Sequence, residues 1–104
     1  MYGIHGTPLL IPAKLYPMMK QLPPYDPDWN DFRKALYHDA QGDWDKAHEI
    51  VDRRSDPPAS HIHAYLHRKE GDQWNASYWY SRAHQPVCSI PLEEEWQRLW
   101  DLYQ

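Results

Sequence analysis

Ala35-Leu-Tyr-His38-Asp-Ala-Gln-Gly42-Asp43-Trp-Asp-Lys-Ala47 is followed, 29 residues on, by Ala64-Tyr-Leu-His67-Arg-Lys-Glu-Gly71-Asp72-Gln-Trp-Asn-Ala76. Both stretches share A-x-x-H-x-x-x-G-D-x-x-x-A. Self-similarity at this period is the signature of stacked helical hairpins. In each copy the glycine follows the last apolar-periodic residue, where a left-handed residue closes a helix. The aspartate after it can accept from the free amides of the next helix. The repeat therefore predicts an all-α fold with two hairpins, over residues 28–54 and 57–84.

Outward from that pair, Asp26-Pro27-Asp28 reads as a helix start. Trp29, Phe32 and Leu36 then fall three to four apart, on one face of a first helix that ends near Gln41. The second helix runs from Trp44 to about Arg54. Ser55-Asp56-Pro57-Pro58 caps a third, to about Glu70, and a fourth runs from about Gln73 to His84. Beyond Pro86, the stripe Leu92, Trp96, Leu99, Trp100 and Tyr103 predicts an amphipathic capping helix over 91–103. Residues 1–27 hold six of the ten prolines, a spacing that excludes a helix of ordinary length, yet they are rich in Leu and Met. They read as a proline-rich arm packed on the helical domain of residues 28–104, or on a second copy of the chain, which makes a homodimer an expectation.

The pieces Gln41-Gly-Asp-Trp-Asp-Lys-Ala47 and Glu70-Gly-Asp-Gln-Trp-Asn-Ala76 resemble the turn between the two helices of a tetratricopeptide repeat. Ala35, Ala64 and Ala83 match the small-residue positions of that family. The chain also resembles small bacterial proteins with a tetratricopeptide-like pair. The period is shorter than the family's, and histidine stands where tyrosine is usual near the end of each first helix. The resemblance implies a non-catalytic module that binds a protein or peptide on its concave face. In the repeat register that face carries His61, Ile62, Tyr65, Arg68 and Lys69, suited to an acidic or C-terminal peptide.

At 104 residues the chain is one domain, and 14% aromatic content can supply a core that so short a chain would otherwise lack. A net charge of −4, with no basic run beyond Arg53-Arg54, argues against nucleic acid. A single cysteine, Cys88, suggests a reducing compartment, and no stretch reads as a signal core or a membrane span; a cytoplasmic location is the expectation. Phosphate-cradling loops, nucleophile elbows and paired cysteines are missing from the sequence, so no catalytic residues and no resident cofactor are expected.

Histidine is the residue type that stands out, with seven in the chain. His63, His67 and Glu70 share one face of the third helix, and two imidazoles four apart on a helix can hold one metal. His48 can approach them from the second helix. The set His48, His63, His67 and Glu70 is therefore a candidate site for zinc, another divalent metal or a small anionic ligand. The plainer alternative is a packed histidine core, stacked on Trp44, Trp74, Trp79 or Tyr78.

Overall fold

The computed structural model describes residues 22–104. They form five helices and no strand: α1 Asp31–Ala40, α2 Trp44–Asp52, α3 Pro57–Lys69, α4 Gln73–Arg82 and α5 Leu92–Leu102. The fold class is all-α, as expected. No helix among the described residues is long and apolar enough to cross a membrane. The arm expected over residues 1–27 lies outside the described residues up to Gln21. From Leu22 the chain is non-helical as far as Asn30, and Leu22 itself packs on the core.

The two Gly-Asp corners are closely alike. Gly42 and Gly71 sit at φ 87° and 90°. At the first, the amide of Asp43 donates to His38 O at 2.8 Å and that of Gly42 to Asp39 O at 2.9 Å; at the second, Asp72 donates to His67 O at 2.9 Å and Gly71 to Arg68 O at 3.1 Å. These are the paired bonds that satisfy the last carbonyls of a helix closed by a left-handed residue. Each aspartate side chain then accepts from the third amide of the next helix, Lys46 at 3.0 Å and Asn75 at 3.2 Å. The corner occurs a third time at the end of α4, where His84 takes the left-handed conformation (φ 59°) and Gln85 N donates to Tyr80 O at 3.0 Å.

Helix α1 starts later than Asp26-Pro27-Asp28 suggested. Those residues make a turn, with Asp28 N donating to Asp26 Oδ1 at 2.8 Å and Trp29 N to Asp26 O at 3.1 Å. Asn30 is the cap, accepting from Arg33 N at 2.8 Å. Aspartate before proline initiates turns as readily as helices, so the signal was real and its product different.

Helix α3 is central. It packs against α2 on one side and α4 on the other, with α1 and α5 also touching it. Ile62, Ala64, Tyr65 and Leu66 are buried on different sides of it, which a helix with neighbours all round requires. The main core joins Ala35, Leu36, Trp44, Ala47, Val51, Ile62, Leu66, Trp96 and Leu99. Two indole N–H groups inside it reach backbone carbonyls that no side chain could supply: Trp44 Nε1 to Leu66 O at 2.8 Å and Trp96 Nε1 to Leu36 O at 2.9 Å. A smaller cluster of Ala64, Ala76 and Tyr80 seals α3 against α4.

Candidate metal centre

The residues expected on a peptide-binding face have partners within the described residues. Ile62 and Tyr65 are buried. His61 Nδ1 lies 2.8 Å from the hydroxyl of Tyr103, just past α5. Arg68 donates to Glu95 Oε1 at 2.8 Å and to the Ile90 carbonyl. Lys69 turns the other way and binds Asp39 Oδ1 at 2.9 Å. The two carboxylates also accept from buried tyrosines, Tyr65 to Asp39 at 2.7 Å and Tyr80 to Glu95 at 2.5 Å. Tyr103, Glu95 and Asp39 thus engage three of the five side chains of this expected face.

The histidines do converge. His48 projects from α2, and His63 and His67 project from successive turns of α3. One potential ligand atom from each lies within 4.8 Å of one from each of the others. His63 Nε2 and His48 Nε2 are 3.1 Å apart. The ring of His48 stands edge-on to both α3 rings, at centroid distances of 4.7 and 5.1 Å, and the two α3 rings stack at 4.9 Å. Indoles wall the cluster on two sides: Trp44 stacks on His48 at 4.8 Å and Trp79 on His63 at 3.9 Å. The stacking foreseen for a histidine core therefore occurs with Trp44 and Trp79. Trp74 is 78% exposed.

Glu70 accepts at the Nδ1 edge of His67, 2.8 Å away, and so leaves Nε2 as that ring's free donor atom. A carboxylate on the far nitrogen of an imidazole is the usual arrangement around metal-ligating histidines. Asp43 and Asp72 cap α2 and α4 and do not touch the cluster's rings by hydrogen bond. His63 is 1% exposed, and its Nδ1 is a buried polar atom with no hydrogen-bond partner. Such an atom costs about 1–3 kcal/mol; the nitrogen that faces His48 is the other one, Nε2.

Burial, followed by the proximity of His48 and His67, holds the His63 pKa down to about 3. Burial, then His67, lowers that of His48, opposed by Asp52, Glu70 and Asp45. Burial thus favours the neutral form of both rings, the form that binds metal; in the hydrogen bond between them one Nε2 donates and the other accepts, and a metal would displace that proton.

Asp52 was passed over in the sequence. It is the last residue of α2, its side chain is 62% exposed, and Oδ1 lies 4.0 Å from His63 Nε2. The available signal was spacing: Asp52 follows His48 by four residues, as His67 follows His63. His38, the counterpart of His67 in the first repeat, sits against Tyr25 and Tyr37 instead. The shallow cleft lined by Asp31, Lys34, Ile50, Arg53 and Arg54 shares no residue with the cluster, and Arg54 there is already paired with Asp31 and Asp56.

No protein-family model, curated protein or solved structure matches this chain significantly, so its function is argued from geometry.

Proposed function

We propose that this is a small helical domain that binds one divalent metal through His48, His63 and His67. The observation that carries the reading is the convergence of three imidazoles from two helices, one donor atom each within 4.8 Å. Bonds of about 2.0–2.1 Å to a tetrahedral zinc put ligand atoms roughly 3.3 Å apart, so the 3.1 Å pair is nearly in place and the third needs a small closure. Zinc is the first candidate, because imidazole donors in tetrahedral arrangement suit it. The metal would tie α2 to α3, and hence one helix pair to the next. A shortened tetratricopeptide-like scaffold is the accompanying proposal, supported by the paired Gly-Asp corners.

Titration of chelator-stripped protein with zinc, followed by calorimetry and thermal unfolding, tests this. One equivalent should bind and raise the melting temperature, by the equivalent of about 2.7 kcal/mol when free zinc is 100 times Kd. A His63→Ala, His67→Ala double variant should lose both effects. Absence of stoichiometric binding to the wild-type chain would sink the proposal.

A second reading, an interaction module, keeps one supporting observation. Trp74 is 78% and Tyr78 45% exposed, one turn apart on the outer face of α4, with Arg82 a turn further on and 5.9 Å from the Tyr78 ring. Exposed rings of this size commonly mark a contact surface. The partner to test first is a second copy of the chain.

A further inference from the structure

We propose that Asp52 is the fourth ligand, so that two residue pairs of identical helical spacing, His48/Asp52 on α2 and His63/His67 on α3, close around a single zinc ion. The inference rests on the metal reading above and specifies the site's chemistry: a closed three-nitrogen, one-oxygen centre, structural in kind, with no position left for a substrate.

Geometry supports it first. Residues four apart lie above one another on a helix face. Helix α2 packs on α3 so that His48 meets both α3 rings while Asp52, one turn on, reaches His63. The 4.0 Å between Asp52 Oδ1 and His63 Nε2 exceeds a tetrahedral edge of roughly 3.3 Å by less than one ångström. In this conformation Asp52 stands outside the set of atoms within 4.8 Å of one another that the three histidines form, so its exposed side chain must also turn towards His48 and His67 to close on the ion.

Two of the other acids near the cluster have partners of their own. Glu70 holds His67, and Asp72 accepts from the Asn75 backbone and side chain. Asp52 faces the cluster, with Oδ1 4.0 Å from the neutral His63 ring, and its charge also acts on His48. A carboxylate as the last residue of α2 faces the negative end of the helix dipole, where the following residue, Arg53, donates Nε to Glu49 O at 3.2 Å. On the ion, a carboxylate would lower the net charge of a centre otherwise made of neutral rings. Glu70 acts as a positioning residue through His67.

The test uses the full chain, stripped with chelator and reloaded with Co(II) alone, in wild-type, Asp52→Ala and Glu70→Gln forms. Wild-type protein should show the intense visible bands of four-coordinate Co(II), unchanged by azide because no position is open. Asp52→Ala should bind at least roughly 10–100-fold more weakly, the range that even outer partners command, and its bands should shift on adding azide. Glu70→Gln should weaken binding yet leave the bands indifferent to azide. Without metal, Asp52→Ala should melt cooperatively near the wild-type temperature, since the side chain it removes is 62% exposed, and this confirms that it folds. If Asp52→Ala matches wild type in affinity, spectrum and azide response, Asp52 is not a ligand although the three-histidine site stands. If wild-type protein takes up no Co(II), both proposals fall.

Discussion

His63 condenses the tension of the site into one side chain. Its Nδ1 has no partner, its Nε2 faces His48, and its ring lies flat on Trp79. In the folded chain its pKa is about 3, against 6.5 when unfolded. Between those values the unfolded chain carries the extra proton, so protonation favours unfolding. The stability of metal-free protein should therefore be full above about pH 6.5 and fall steadily as pH drops towards 3. Urea titrations at pH 7, 6, 5 and 4 would show this, and a His63→Phe variant, which keeps the stack and cannot be protonated, should show a flatter profile over the same span. A pH slope unchanged in that variant would assign the dependence to other groups. The spacing of His63 and His67 was readable in the sequence, because it needs only a helix. The orphaned nitrogen was not, since it depends on which atoms of α2 and α4 arrive beside it.

Among the elements, the three helix-ending corners form a controlled comparison. Two have glycine at the left-handed position and the third has His84. A side chain in that conformation costs roughly 1–2 kcal/mol, and glycine forfeits part of this through its freer unfolded state. His84→Gly should accordingly stabilise the protein by about 0.5–1 kcal/mol. Gly71→Ala should cost about 1–2 kcal/mol by backbone strain alone, because a Cβ there would meet nothing within 4 Å. Denaturant midpoints would measure both, and equal, opposite-signed failures would mean the corners are not under conformational strain. The corners were legible in advance because glycine and aspartate act over a handful of residues. The start of α1 was misplaced because proline and aspartate serve turns and helices alike. The partner of Arg68 was not legible for another reason: Arg68 and Glu95 are 27 residues apart, and no local pattern announces a pair that only tertiary packing creates.

The whole molecule is built outward from α3, which sends Arg68 to α5 and Lys69 to α1 from adjacent positions. Among the described residues, Trp74 and Tyr78 form an exposed aromatic edge on α4. Sedimentation velocity across the micromolar range should reveal concentration-dependent association of the metal-free chain, lost in a Trp74→Ala, Tyr78→Ala variant; a wild-type chain that stays monomeric throughout would reject self-association through this face. The distribution of indoles has a practical consequence. Trp74 looks outward, Trp96 is sealed in the core, and Trp44 and Trp79 lie against His48 and His63. The latter two are built-in emitters in contact with the proposed ligands. Paramagnetic Co(II) should quench their fluorescence strongly while diamagnetic zinc leaves most of it, so an unlabelled sample can report the occupancy of the histidine cluster by its own light.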